Sequence, residues 1–346
     1  MKRVNYIDNL RWITVSLLVL FHTSVAYNTW GEANYIFLGE VEPFAGIVTF
    51  IYPWFMALMF LLAGVSSKFS LQKRGYRTFV GERFKRLGMP LLIGIVVISP
   101  ILSYIADVTH NGYSGNFFKH YGVFFTKFTD LTGYDGGFTF AHLWFILALI
   151  VISLISLIDI KLTERFADEN KKAGVILSII VALIAIATFD VKFAGKPLIM
   201  YLCVYLLGYF TFSDQDFVAK LSKLKWVFTA LFIIASSVNV ILFIFIGGHE
   251  LLNNVCNYSS FVFGVLALIC IGHDHLDFTN KFTQFNSKIS YLFYIVHFPI
   301  VVLCQYALQS AGVGAVLNFV LTLLIAYPIT YGVCYLIKKP DKTSLR

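Results

Sequence analysis

Long apolar stretches dominate the chain, and polar residues fall mainly between them. A helix needs about 20 mostly apolar residues to cross ~30 Å of hydrocarbon, and ten windows of the sequence meet that requirement. They lie at about 10-27, 44-66, 89-108, 141-160, 174-189, 196-212, 225-247, 255-272, 289-309 and 315-337. Windows 174-189 and 196-212 are short enough that a re-entrant hairpin is an alternative there. The pattern predicts an all-α, polytopic membrane helical bundle with about ten transmembrane helices.

The composition agrees with this pattern and excludes a sizeable soluble domain. Of 346 residues, 58% are hydrophobic and only 13% are charged, whereas a soluble domain would carry about a quarter charged residues. The sequence shows no internal repeat, no low-complexity tract and no Pro- or Ser-rich linker. We therefore expect residues 1-346 to form a single transmembrane domain in the cell membrane.

Basic residues are distributed unevenly among the segments between the windows. If the N-terminus is cytoplasmic, 23 of the 27 Lys and Arg residues fall on the cytoplasmic side, and those left outside are Lys119, Lys127, Lys192 and Lys196. Because basic segments are retained in the cytoplasm, the distribution predicts an N-in, C-in orientation. The formal net charge of +8 follows from the same bias, so the expected neighbour is anionic lipid and not nucleic acid.

Two segments between the windows differ from the rest. Segment 67-88 carries seven basic residues against a single acidic one, and segment 109-140 holds ten aromatic residues with balanced charge. An aromatic segment of this kind can anchor a protein at the membrane interface. It can also form a lid that offers rings to a sugar. Both interpretations of segment 109-140 remain open.

Arg11 and His22 are the first candidates for function, because ionisable residues inside a membrane are costly. Their separation of 11 residues corresponds to about three helical turns, or ~16 Å, so both side chains leave nearly the same face. His22 can act as a general base, since imidazole titrates near neutrality. The structural alternatives are an Arg11 that snorkels to the interface and a His22 that bonds a neighbouring helix.

Arg83 and Arg86 lie at the predicted cytoplasmic entrance to the third span, with Lys85 between them. Residues three apart share a face of an α-helix, and two guanidinium groups on one face suit a polyphosphate. The topology rule accounts for the same charges. A phosphate clamp and a plain cytoplasmic anchor therefore both remain open.

Two further histidines fall inside the windows. His297 follows Tyr294 by three residues and extends a polar ridge on a helix that Pro299 can kink. His142 and Trp144 open the fourth span from the predicted outer side. We assign a catalytic role to His297 and a role in substrate binding to His142, Trp144 and Tyr294. Helix packing and interfacial anchoring are the alternatives.

The sequence does not predict a metal site. The cluster His273, Asp274, His275 and Asp277 has no fourth ligand at a characteristic spacing, so we interpret it as a solvated turn. The five cysteines form no CxxC pair, and no Gly-rich phosphate loop or HExxH motif occurs.

Several short motifs follow one another in order along most of the chain. They are Tyr6-Ile7-Asp8-Asn9-Leu10-Arg11 leading to His22, Phe60-Leu61-Leu62-Ala63-Gly64, Arg83-Phe84-Lys85-Arg86, His142-Leu143-Trp144-Phe145 and Tyr294-Ile295-Val296-His297-Phe298-Pro299. In this order and placement they resemble the acyltransferase family 3 of integral-membrane glycan O-acyltransferases. One departure is the end of the second span, where Ala63-Gly64-Val65 stands in place of the family's usual Ser-Gly-Phe.

The resemblance implies transfer of an acetyl or succinyl group from cytoplasmic acyl-CoA to a hydroxyl of an extracytoplasmic saccharide. The histidine and arginine of the family's first span correspond to His22 and Arg11, and its cytoplasmic arginine pair to Arg83 and Arg86. Acyl-CoA, above all acetyl-CoA, is the expected donor, and the expected partners are a saccharide or glycan acceptor and membrane lipid. Direct transfer and a relay through an acyl-histidine both remain open.

A proton-coupled transporter or flippase is the competing class, because it would also use His and Arg inside the membrane. The sequence shows neither a two-fold repeat nor the matched Gly- or Pro-broken spans typical of such carriers. A non-catalytic scaffold would explain the spans but not the clustered Arg and the intramembrane His. The sequence therefore favours the acyltransferase.

Overall fold

Helices make up the regular structure of the chain in a computed structural model that describes residues 4–165, 176, 179–184, 186, 192 and 195–338. Within these residues the α-helices are α1 (Asn5–Val25), α2 (Glu42–Arg83), α3 (Met89–Val97), α4 (Ser99–His110), α5 (Phe117–Thr126), α6 (Trp144–Arg165), α7 (Leu198–Phe210), α8 (Gln215–Leu221), α9 (Lys225–Val240), α10 (Glu250–His275), α11 (Lys281–Ser310) and α12 (Ala315–Ile337). Two π-helical segments, Phe84–Gly88 and Ile241–Ile246, follow α2 and α9, and two 3-10 turns occupy Ala141–Leu143 and Ser222–Leu224. The predicted all-α class is confirmed.

The predicted windows can be compared with these helices one by one. Nine of the ten windows lie on described helices, and half of window 174-189 falls outside the described residues. In the described part, six stretches are long and apolar enough to cross a membrane, namely Glu42–His110, Ala141–Thr163, Gln215–Ile246, Glu250–His275, Lys281–Ser310 and Ala315–Ile337. The chain is therefore a membrane-embedded helical protein. The total of ten spans and the N-in, C-in orientation stay predictions.

Helix α1 lies at the centre of the bundle, in contact with α2, α10, α11 and α12. Its first turn is capped by Asp277, whose carboxylate accepts hydrogen bonds from the amides of Asn5 at 2.7 Å and Tyr6 at 3.2 Å. The first amides of a helix have no partner within the helix, so a side chain from elsewhere satisfies them. This contact fixes the start of the helix that carries Arg11 and His22.

Helices α2 and α7 approach each other closely through two glycines. A Cβ on Gly64 would lie 2.0 Å from the carbonyl oxygen of Tyr205, and one on Gly208 would lie 2.3 Å from that of Leu61. Small residues at such a contact allow two helix backbones to pack together in a membrane. Because Gly64 belongs to the second-span motif, this contact also sets the position of the serines at 66–67 that follow it.

Candidate active site

Three histidines from separate parts of the sequence meet inside the bundle. His22 lies on α1, His142 on the 3-10 turn that precedes α6, and His297 on α11. The ring centroids of His22 and His297 are 5.2 Å apart. Those of His142 and His297 are 5.3 Å apart, and those of His22 and His142 are 6.4 Å apart. The structure thus brings together three residues that the sequence analysis named separately.

The position of His142 depends on a proline in another helix. Helix α11 is continuous through Pro299, but proline has no N–H, so the carbonyl of Ile295 four residues earlier lacks its usual helical donor. The imidazole of His142 supplies a donor, with Nε2 3.0 Å from the Ile295 oxygen. In return, the phenol of Tyr294 donates to the backbone carbonyl of His142. These two bonds attach the start of α6 to α11.

Hydrogen bonds also determine which ring nitrogen of His297 carries the proton. Its Nδ1 lies 2.7 Å from the carbonyl oxygen of Tyr294 and 3.1 Å from that of Phe293. A carbonyl only accepts, so Nδ1 carries the hydrogen and the neutral ring keeps its lone pair on Nε2. By the same argument, His142 carries its hydrogen on Nε2 and its lone pair on Nδ1. A neutral His297 therefore offers an acceptor at Nε2, whereas an oxyanion requires a donor.

These two rings are buried, with 0% of His297 and 5% of His142 exposed. Within the described residues, neither Nε2 of His297 nor Nδ1 of His142 has a hydrogen-bond partner. Buried polar atoms are nearly always paired, so each unpaired one needs an explanation. Thirteen such atoms occur among the described residues, and two of them belong to this cluster.

His22 differs from the other two histidines in its surroundings. Its ring stacks on Phe298, with centroids 3.9 Å apart and planes inclined by 28°. The residue is partly exposed, and in the described ranges its ring nitrogens make no hydrogen bond. A stacked imidazole with both nitrogens open can take a proton from a hydroxyl that approaches it. Such access is what a general base requires.

A narrow cleft lies along α1 on the face that carries Arg11 and His22. It contains about 200 Å³ of space between the side chains, part of which is open to the surroundings. Its lining comes from α1, α2, α6 and α11 and consists of Thr14, Val15, Leu18, Phe55, Met56, Met59, Phe145 and Tyr294. Thr14 and Leu18 share a helical face with Arg11 and His22. The cleft therefore suits a slender, mostly apolar chain.

Two arginines are held by adjacent serines of α2. Arg11 donates from Nη2 to the Ser66 hydroxyl at 2.7 Å and from Nη1 to Asp8 at 2.9 Å. Arg83 donates from Nη2 to the Ser67 hydroxyl at 2.6 Å. The Nε of Arg83 is buried and has no hydrogen-bond partner among the described residues. Two guanidinium groups thus come together at neighbouring hydroxyls, and one of them keeps an unused N–H.

Arg86 does not join this pair. Its side chain is 66% exposed and lies 3.5 Å from Glu82, in the π-helical segment Phe84–Gly88. A π-helix has more residues per turn than an α-helix, so residues three apart no longer share a face. Arg83 and Arg86, which the sequence places on one face, therefore diverge, and Arg83 is grouped with Arg11 instead.

A family model described as an acyltransferase domain matches residues 4–339 of the chain. The chain belongs to acyltransferase family 3. The match includes the three histidines, the cleft and the arginines, so the whole candidate site lies within the domain of this acyltransferase family. No curated protein and no solved structure matches the chain in the same comparisons. Family membership confirms the resemblance and, together with the apolar helices, supports a membrane acyltransferase.

In this family member, segment 109-140 is attached to the loop that follows α1. The hydroxyl of Tyr35 donates to the carbonyl of Thr132 at 2.8 Å, and the Tyr35 ring lies 5.5 Å from Phe298, which stacks on His22. The segment also presents Phe118 with 85% of its surface exposed. Tyr35 therefore links the segment to the surroundings of the histidines, whereas Phe118 is exposed. Both the lid and the anchor remain predictions.

The remaining residues predicted to bind substrate lie in different places. Tyr294 borders the cleft, and its ring is 5.5 Å from that of His142. Trp144 instead stacks on Tyr201 at 6.2 Å, with the ammonium of Lys196 5.2 Å from its ring. The structure thus groups Tyr294 with the histidines and places the Trp144 ring among other residues.

The acidic and histidine residues at 273–277 have structural partners. Asp274 pairs with Lys225 and, at 2.7 Å, with His273, while Asp277 caps α1. Across the described part of the chain, no group of three or more His, Cys, Asp or Glu side chains could hold a metal ion.

Sequence reasoning missed the residues that support the named ones. Ser66 and Ser67 hold the arginines, and Phe298 stacks on His22. A signal for the serines was present, because two adjacent hydroxyls stand at the end of the apolar window 44-66, directly after the Gly64 motif. Phe298 lies within a quoted motif, but a single aromatic residue among many apolar ones carries no distinguishing signal.

Proposed function

We propose that the protein transfers an acyl group, acetyl or succinyl, from cytoplasmic acyl-CoA to a hydroxyl of an extracytoplasmic saccharide, and that it does so as one transmembrane domain in the cell membrane. The cleft is the observation that carries this proposal. Its lining from α1, which is Thr14, Val15 and Leu18, lies between Arg11 and His22 on the same helix. Family membership supports the acyl donor, and the separation of the two ends supports substrates that enter from opposite sides.

The arginines hold the phosphate groups of the donor in this proposal. Guanidinium groups bind phosphate through paired, charge-assisted hydrogen bonds. Arg83 has an unused N–H for this purpose, and Arg11 lies beside it at the serines. Arg86, which is exposed, meets the part of CoA that stays outside the bundle. The arm that carries the thioester then follows the cleft along α1 towards His22.

His22 acts as general base in a direct transfer. Its open nitrogen takes the proton of the acceptor hydroxyl while the oxygen attacks the thioester carbonyl carbon. A C–O bond forms, the C–S bond breaks as the tetrahedral intermediate collapses, and the thiolate recovers the proton and leaves as CoA. Such help is typically worth about 10²–10⁴-fold. His297, His142 and Tyr294 surround the reacting groups, and Trp144 contacts the acceptor farther from them.

A relay through His22 is the second route. A ring nitrogen would bond to the acyl carbon, and CoA would leave with the ring proton. The acceptor oxygen would then take the acyl group as the C–N bond breaks, and the hydroxyl proton would return to the imidazole. The two routes differ in one measurable species. The mass of the protein after incubation with acetyl-CoA and no acceptor would increase by one acetyl group only in the relay.

Release of free CoA by purified protein in nanodiscs tests the proposal. The wild type, supplied with acetyl-CoA or succinyl-CoA and a crude glycan extract, should release CoA, and His22→Ala should slow release by about 10²–10⁴-fold. His249→Ala changes an exposed histidine and serves as the matched control with the wild-type rate. No release from folded wild-type protein with either donor would contradict the proposal and make substrate uptake by a transporter the next measurement.

A further inference from the structure

The two unpaired nitrogens in the histidine cluster are both hydrogen-bond acceptors. His297 uses Nδ1–H on the carbonyl of Tyr294, and His142 uses Nε2–H on that of Ile295. The remaining nitrogens, Nε2 of His297 and Nδ1 of His142, are buried lone-pair acceptors with no partner in the described structure. Only a donor can satisfy them. The neighbouring O–H of Tyr294 does not serve, because it donates to the carbonyl of His142.

The position of these nitrogens beside His22 limits which hydrogen-bond donors can reach them. The His297 ring is 5.2 Å from that of His22 and 5.3 Å from that of His142. A hydroxyl that approaches His22 therefore brings the groups on its adjacent carbon atoms close to these acceptors. Because the two rings are neighbours, a molecule with hydroxyls on adjacent carbons can present one to His22 and the other to His297. Each O–H provides the hydrogen that a lone pair requires.

We infer that Nε2 of His297 and Nδ1 of His142 form a subsite that accepts hydrogen bonds from hydroxyls of the acceptor other than the one that reacts. The acceptor must then carry a second hydroxyl on a carbon next to the reacting one. This inference rests on the proposed function and narrows its acceptor to compounds with neighbouring hydroxyls. A single alcohol, or an alcohol whose neighbour is an ether, lacks the second donor and leaves a buried nitrogen unpaired.

Three small alcohols with the same ring test the requirement for a second donor. They are cyclohexane-1,2-diol, cyclohexanol and 2-methoxycyclohexanol, of which the last keeps a second oxygen but cannot donate from it. Each is measured as an acceptor of acetyl groups from acetyl-CoA and as a competitor of the crude glycan extract. The diol should exceed both others by about tenfold or more in kcat/KM or in inhibition, because a hydrogen bond to a buried acceptor is lost without it. Equal behaviour of the diol and its methyl ether in both assays would overturn the inference.

Amide variants remove one acceptor at a time without removing the structural hydrogen bond. Asparagine can reproduce the Nδ1 donor of histidine, and glutamine can reproduce the Nε2 donor. His297→Asn therefore keeps a donor for the Tyr294 carbonyl and loses the Nε2 acceptor. His142→Gln keeps a donor for the Ile295 carbonyl and loses the Nδ1 acceptor. In both variants the preference for the diol over cyclohexanol should fall about tenfold.

His297→Gln is the matched control, because its amide oxygen returns an acceptor near the position of Nε2. It should recover part of the preference for the diol that His297→Asn loses, and thermal unfolding identifies any variant that fails to fold. An undiminished preference in both His297→Asn and His142→Gln would overturn the inference. Failure of the proposed function gives a different result, since the wild type would then acetylate neither the glycan nor any alcohol and would release no CoA.

Discussion

The two ends of the candidate site, the arginine pair and the histidine cluster, differ in how the protein holds their polar groups. At one end, Arg11 and Arg83 donate to adjacent serine hydroxyls, so the protein itself holds the charged groups in place. At the other end, His22 makes no hydrogen bond within the described ranges, and its two histidine neighbours each keep an unpaired nitrogen. A group that binds an anion benefits from being fixed beforehand, whereas a group that exchanges protons must stay accessible. Under the proposed function, donor binding and chemistry are therefore separated along one helix, α1.

Replacement of Arg83 should give the largest effect and tests the arginine end of the comparison. Arg83→Ala removes a guanidinium group with an unused N–H, so the KM for acetyl-CoA should rise about 10- to 100-fold while kcat changes little. Arg86→Ala is the matched control, because its exposed side chain interacts only weakly with Glu82. It should raise KM by about 2- to 5-fold. Steady-state kinetics in nanodiscs decide, and an unchanged KM in Arg83→Ala would exclude the phosphate clamp.

Gly64→Ala should shift Ser66 and Ser67, which follow it on α2, without replacing either serine. In Gly64→Ala, the new Cβ would lie 2.0 Å from the Tyr205 carbonyl oxygen, so α2 and α7 must separate, at a cost of about 1–3 kcal/mol in the free energy of unfolding. Gly81→Ala lies in the same helix with no atom within 4 Å of its Cβ. It should leave stability unchanged or slightly higher, since alanine favours a helix. Thermal unfolding compares the two, and equal midpoints would contradict the close contact.

The smallest effect is expected in segment 109-140, away from both ends of the cleft. Burial raises the pKa of Asp135, but hydrogen bonds from the Gly137 amide, the Thr129 hydroxyl and Lys127 outweigh it and hold this pKa below its usual 3.8. The folded segment thus favours the ionised form of Asp135. The contribution of Asp135 to the stability of the segment is complete above the usual pKa and is lost as the pH falls through the lowered pKa. Hydrogen exchange of residues 127-138 should show less protection at about pH 2 than at about pH 5.

Asp135→Asn provides the control for this pH effect. An amide does not titrate in this range, so the variant should show the same protection at both pH values. Its rate of CoA release should equal that of the wild type, because Asp135 contacts neither end of the cleft. A pH response that persists in the variant would assign the effect to another carboxyl group.

Local composition predicts the helices, and it also predicts most of the residues at the two ends of the cleft. Window 10-27 coincides with most of α1, and helical spacing alone places Arg11 and His22 on one face. The contact of His22 with His142 and His297 cannot be predicted from local composition. It depends on how α1, α6 and α11 pack, and hydropathy contains no term for contacts between helices.

Two differences from the sequence analysis have specific physical causes. Arg86 diverges from Arg83 because a π-helical segment interrupts the α-helical periodicity on which the prediction relied. Asp277, interpreted as part of a solvated turn, caps α1 across a separation of 272 residues. Capping signals in a sequence are local, so a cap supplied from so far along the chain leaves none.

Pro299 sets the register between two helices. By removing one donor from α11 it leaves the Ile295 carbonyl open to His142, and this bond fixes the height at which the start of α6 attaches. A slide of α11 by one helical turn, ~5.4 Å, would leave the Ile295 carbonyl and the His142 imidazole without their hydrogen bond to each other. A piston-like movement of α11 is therefore disfavoured, and we expect any opening of the histidine cluster to proceed by tilting α11 about this attachment point.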